Sequence, residues 1–101
     1  MDLDLGLVAD FLVLVQERHY GRAAVRLHLT SSALTKRVRR LERQLGVALV
    51  ERDPAGVLAV TSAGRRFAAA AVPLIAQAGA ARDSARAAPA RYAADRRPRC
   101  S

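Results

Sequence analysis

The sequence predicts a mainly α domain in which three short helices, a β-hairpin and one long helix follow one another. Two observations carry this expectation. Apolar residues recur at three- and four-residue spacing in four separate segments, the period of helices with one buried face, and Ser, Thr or Gly stands at nearly every joint. Only the runs ALVER and GVLAV, flanking Asp53-Pro54-Ala55-Gly56, read as short β-prone segments joined by turn chemistry. A chain of 101 residues holds one domain with a small core, which excludes most large enzyme folds.

In the first helix Leu5, Val8, Phe11, Leu12 and Val15 form the apolar stripe, and Leu7, Val13 and Leu14 widen it. That breadth predicts a helix covered on two sides, with acids in its first turn favouring the dipole. His19-Tyr20-Gly21 ends it, and Gly21 is the expected N-cap of a short second helix whose Ala23, Ala24 and Leu27 permit close approach. Thr30 is the expected N-cap of the third helix, with Ser31 or Ser32 as substitutes. Its Leu34, Val38, Leu41 and Leu45 make a narrow core face, and Gly46 ends it. At about 100° per residue, Ser32, Lys36, Arg39, Arg40 and Arg43 fall on the opposite side, with Thr35 on the flank. Two helices across a short turn, the second apolar inside and basic outside, make a helix-turn-helix.

The hairpin after it reads as a wing. Thr61-Ser62 then opens a fourth helix running to about Ala88. Its seam of Phe67, Ala71, Leu74, Ala78 and Ala81 has the alternating spacing of a two-helix contact, built largely from small side chains. Pro73 inside it is expected to kink the helix or cost a hydrogen bond. The tail has no apolar period. The expected division is therefore residues 1–61 as a winged helix-turn-helix, 62–88 as a linker and dimerisation helix, and 89–101 as a disordered basic tail.

Charge is unevenly placed. The net charge is +8, but residues 1–17 carry −4, residues 18–43 carry +7, residues 44–60 carry −1 and residues 61–101 carry +6. Among 17 basic residues only Lys36 is not an arginine, which favours planar, bidentate contact with phosphate or guanine. Such a balance points to nucleic acid or an anionic membrane surface. Cys100 is the single cysteine, so no internal disulfide and no Cys-based zinc site is expected. His19 and His28 have no metal-spaced partners, and Ser31-Ser32 has neither a base nor an oxyanion arrangement. No cofactor, metal or catalytic residue is expected. The acidic start differs from a signal peptide, and FAAAAVPLIA falls far short of the ~18 residues of a membrane span. A cytoplasmic, soluble protein is expected.

The run HYGRAAVRLHLTSSALTKRVRRLERQLGVALVERDPAGVLAVTSAG resembles the N-terminal DNA-binding domain of LysR-type bacterial transcriptional regulators. It carries an aromatic before the short helix, Arg-Ala-Ala, Leu-His, a Thr cap, Arg-x-Leu-Glu, Leu-Gly, Glu-Arg in the wing, and Thr-x-x-Gly at the linker helix. The likeness covers about residues 3–88 and implies a winged helix-turn-helix, dimerisation through linker helices, and binding to promoter DNA. Three departures stand out. Ser31-Ser32 replaces a frequent Gln-Pro and Thr35-Lys36 a frequent Ser-Arg. Ala55 occupies a wing position that is often basic, in a hairpin one residue longer, which leaves Arg52 as the wing's candidate contact. The family's effector-sensing domain has no counterpart in these 101 residues, so no small-molecule effector site is expected here.

The candidate DNA-binding residues are thus Ser31, Ser32, Thr35, Lys36, Arg39, Arg40, Arg43 and Arg52. Lys36 and Arg39 suit guanine or phosphate, Thr35 a thymine methyl or a phosphate, and Arg22, Arg40 and Arg43 either phosphate or pairing with Glu42 or other acids. The partners expected are double-stranded DNA and a second copy of the chain. Two other readings stand beside this one: a nonspecific binder of nucleic acid or anionic membrane, and a truncated remnant without regulated function. The absence of Trp weighs against the membrane reading, since interfacial helices favour it.

Overall fold

The computed structural model describes residues 3–55 and 57–87. Helices α1 (Leu5–Glu17), α2 (Tyr20–Leu27) and α3 (Ser31–Leu45) precede strands β1 (Val50–Arg52) and β2 (Leu58–Val60), and α4 (Ser62–Arg86) follows. The expected mainly α winged architecture is present. The expected tail at 89–101, with Cys100, lies outside the described residues.

Local chemistry sets each boundary. Asp4 caps α1, one carboxylate oxygen accepting from the N–H groups of Gly6 at 2.8 Å and Leu7 at 3.3 Å. The first turn itself holds no acid, so the favourable charge sits at the cap and not inside the helix. Arg18 closes α1 in the left-handed region at φ 57°. The cap of α2 differs from expectation: His19, not Gly21, is the N-cap, its Nδ1 accepting from the Arg22 N–H at 3.3 Å. Gly21 lies inside the first turn, where a Cβ would stand 3.0 Å from His19 Cε1. The glycine leaves room for the capping ring. His28 ends α2 at φ 59°, and the Leu29 N–H reaches back to the Ala24 carbonyl at 2.8 Å. Thr30 caps α3 as expected, accepting from the Ala33 N–H at 3.0 Å, and Gly46 closes it at φ 75°.

The core gathers Leu7, Val8, Phe11 and Leu14 from α1, Tyr20, Ala23 and Ala24 from α2, and Leu34, Val38 and Leu41 from α3. Leu49, Leu58, Val60 and Ala71 complete it. The expected stripe of α1 is rotated: Leu5 is exposed and Leu12 and Val15 are only partly covered, whereas Leu7 and Leu14 are buried. The cause is that α1 packs against α2, α3 and α4 at once, so its centre line follows three neighbours. Phe11 meets Phe67 of α4 at a centroid distance of 5.9 Å and an interplanar angle of 47°, which seats α4 across α1.

The hairpin is antiparallel, pairing Val50 with Val60, Glu51 with Ala59 and Arg52 with Leu58. Asp53 fixes its turn by accepting from the N–H groups of Ala55 at 3.0 Å and Val57 at 3.1 Å. Val57 also bridges to His19, so the wing is stitched to the α1–α2 connection. Thr61 caps α4 by accepting from the Gly64 N–H at 3.0 Å, while its own hydroxyl donates to the Ala48 carbonyl at 2.7 Å. The helix continues through Pro73 to Arg86.

Two substitutions test this packing. Leu41→Ala, at a fully buried site, is expected to cost about 2–5 kcal/mol in urea unfolding. Gly64→Ala places a Cβ 2.1 Å from the Leu49 carbonyl oxygen, an impossible contact with backbone. It is expected to cost about 1–3 kcal/mol by the same measurement, although alanine is the better helix former.

Candidate nucleic-acid interface

The outer face of α3 is built by its inner one. Leu34, Val38 and Leu41 are locked into the core, which sets the rotation of the helix about its axis. Ser31, Ser32, Lys36, Arg39, Arg40 and Arg43 are then all exposed. Thr35 is half-buried on the flank, and its hydroxyl donates to the Ser31 carbonyl at 2.9 Å. The face expected from the sequence is therefore one continuous surface.

Its charge is unneutralised. Among the described residues Lys36, Arg39, Arg40 and Arg43 have no hydrogen-bond or ion-pair partner. Three other cations of the same basic stretch, Arg22, Arg26 and Arg37, are differently engaged. Arg22 donates to the Glu17 carbonyl at 3.1 Å and lies 3.8 Å from its carboxylate. Arg26 donates to Gln16 at 2.7 Å and to Glu17 at 3.2 Å. Arg37 holds Asp10 of α1 in a part-buried ion pair. Arg22, a phosphate candidate in the sequence, is thus tied to α1, whereas Arg40 and Arg43 stand open.

Glu42, the one acid of α3, does not quench this face. Its Oε2 accepts instead from the N–H groups of Leu49 at 2.7 Å and Val50 at 3.3 Å, where the chain leads into β1. Sequence reasoning missed that role because Glu42 sits between arginines that offer it obvious partners. Its Arg-x-Leu-Glu context was visible; the amides it binds are seven and eight residues away. Arg52 lies in β1 opposite Leu58, and its side chain lies outside the described residues.

The seam expected on α4 divides. Ala71 is buried in the core, and Phe67, half-buried, packs on Phe11, so both take part in the fold of a single chain. The expected seam is thus narrowed at Ala71, which its own chain covers, and in part at Phe67. The physical reason is that the three- and four-residue spacing cannot distinguish a helix of the same chain from one of another. Leu74 and Ala81 are exposed and Ala78 is half-buried. On another face of α4 a groove of about 430 Å³ runs between α1 and α4, lined by Leu12, Val15, Ala68, Val72 and Ile75. Among the described residues no three His, Cys, Asp or Glu side chains stand close enough to hold a metal ion. No helix among them is long and apolar enough to cross a membrane.

Comparison with known proteins agrees with this geometry. Residues 5–65 match the family described as bacterial regulatory helix-turn-helix protein, lysR family. The HTH-type transcriptional regulator HdfR of Salmonella newport is 43% identical over 65 residues, 64% of this chain and 23% of the relative. This chain thus spans about a quarter of that protein's length. Full-length OxyR of Pseudomonas aeruginosa superimposes with a TM-score of 0.79 at 33% identity, over 86% of this chain and 29% of the other. A CbnR DBD–DNA complex superimposes with a TM-score of 0.77 at 30% identity, over 84% of this chain and 97% of the other. Sequence and fold converge on a family of transcriptional regulators and not of enzymes. The chain belongs to the lysR family of bacterial regulatory helix-turn-helix proteins.

Proposed function

We propose that this domain binds duplex DNA in a sequence-directed way, with α3 in the major groove and two copies acting as a dimer at a regulated promoter in the cytoplasm. One observation carries the reading: four cations of one exposed helical face have no internal partner, while neighbouring arginines are held by acids of α1. Phosphates and base edges are the groups such a face lacks. The DNA complex of the similar CbnR domain supports it. Lys36 and Arg39 are assigned to guanine or phosphate, Arg40 and Arg43 to phosphate, and Ser31, Ser32 and Thr35 to adjacent base edges and sugar–phosphate. Arg52 is assigned to the wing's contact. Ser31 and Ser32 reach less far than long amides, so readout near the helix N-terminus rests on few direct bonds.

Dimerisation is assigned to the open part of α4, where Leu74, at 40% exposure, shares a face with Ala78 and Ala81. Little area is available there, so pairing is expected chiefly on DNA, with half-sites about 34 Å or a multiple apart.

Selection of bound sequences from random DNA tests the reading, and a pseudo-palindromic site is the expected result. On that site Lys36→Ala and Arg39→Ala should each weaken binding by about 1–3 kcal/mol without altering the melting temperature. Titration at increasing salt should give a log–log slope of several units, each neutralised phosphate adding about −0.9. Leu74→Asp should abolish cooperative occupancy of two half-sites and spare a single one, as read by gel shift. Phe67→Asp should instead destabilise the isolated domain, because its ring lies on Phe11.

A further inference from the structure

Glu42 lines one surface depression with the recognition cations Arg39 and Arg43, yet its hydrogen bonds go elsewhere. It is half-buried, adjacent in sequence to Arg43 and three residues from Arg39, and among the described residues no guanidinium stands within ion-pair distance of it. Its single oxygen Oε2 gathers two consecutive amides, those of Leu49 and Val50. The same short segment is gripped from its other side. The Thr61 hydroxyl donates to the Ala48 carbonyl at 2.7 Å, the Thr61 N–H donates to the Leu49 carbonyl at 3.0 Å, and Gly64 lets α4 come into contact with that carbonyl. Val50 is the first residue of β1, and the register of the hairpin follows from it. The carboxylate is therefore the α3 half of a two-sided clamp that sets where the wing begins.

We propose that Glu42 is a positioning residue for DNA binding: by holding the Leu49 and Val50 amides it fixes the wing relative to α3, so that both meet one duplex together. The proposal rests on the reading of α3 as the DNA-reading helix. A carboxylate accepting backbone N–H bonds makes a charge-assisted contact, stronger than a neutral one. Its direction is fixed because both donors belong to the one segment.

Charge and position make opposite predictions here. As a charge alone, Glu42 repels phosphate, so removing it should tighten binding everywhere, and shortening it should change nothing. As a clamp, its reach matters more than its charge. Two variants of the full 101-residue chain separate these effects. Glu42→Asp keeps the charge and withdraws the carboxylate by one methylene; Glu42→Gln drops the charge and keeps an acceptor oxygen at the same reach. Each is compared with the unsubstituted protein by fluorescence anisotropy, at a temperature where circular dichroism shows all three folded. The probes are the selected duplex and the same duplex shortened to the base pairs covered by α3.

Glu42→Asp is expected to bind the long duplex about tenfold more weakly, the scale of a lost charge-assisted hydrogen bond, and the short duplex normally. Glu42→Gln should lose less than Glu42→Asp on the long duplex. Hydroxyl-radical footprints should show Glu42→Asp losing protection only at the flanks. Equal weakening on both duplexes, normal binding of Glu42→Asp to both, or a larger loss for Glu42→Gln would each overturn the clamp. A failure of the unsubstituted chain to select any duplex would overturn the DNA reading itself, which is a separate result.

Discussion

The burial of one face of α3 is the constraint on which the rest of the domain depends. Leu34, Val38 and Leu41 are almost wholly removed from water, and about 1.5–3 kcal/mol per such side chain resists any rotation of the helix. Rotation by even one residue would bring a charged group inward. The inner face thus dictates the outer one, and Lys36, Arg39, Arg40 and Arg43 are directed outward by packing and not by bonds of their own. The Asp4 N–H to Gln44 bond, at 3.2 Å, and the Asp10–Arg37 pair fix the same helix against α1 from its flanks.

The disposition of acids is the second organising feature. Asp4 caps α1, Asp10 holds Arg37, Glu17 serves Arg22 and Arg26, Glu42 gathers the amides before β1, and Asp53 forms the wing turn. Each is engaged in a local structural contact. Most of these ion pairs are half-exposed and add little to stability. Their consequence is spatial: none of these five acids pairs with Lys36, Arg39, Arg40 or Arg43. A surface that is basic because its acids are occupied elsewhere presents a stronger field to a polyanion than its composition suggests.

The wing and the long helix are parts of the same body. Leu49 joins them, its side chain fully buried, its carbonyl held by Thr61 and its amide by Glu42. Val57 ties the far side of the hairpin to His19, at the cap of α2. Motion of the wing relative to α3 therefore requires breaking contacts to α2, α3 and α4 together. This explains how a two-stranded ribbon of three-residue strands, marginal by itself, is held in a defined place.

The sequence by itself determined the element order, the helix-turn-helix, the caps at Thr30, Gly46 and Thr61, the core of α3 and its basic face. These are local properties: a 3.6-residue period and a capping side chain act over a few residues, so they are legible without the fold. Only the tertiary structure decided which stripe of α1 faces inward, because three neighbours compete for it. It also decided that His19 caps α2, that Ala71 is buried in its own chain with Phe67 packed on Phe11, and that Arg22 and Arg26 are tied to Glu17. The same holds for Glu42, whose partners lie beyond the end of its own helix. Periodicity tells that a side chain is buried or exposed but not against what, and charge tells its sign but not its partner. Those choices are made by contacts between elements, where distance in space and separation in sequence no longer correspond.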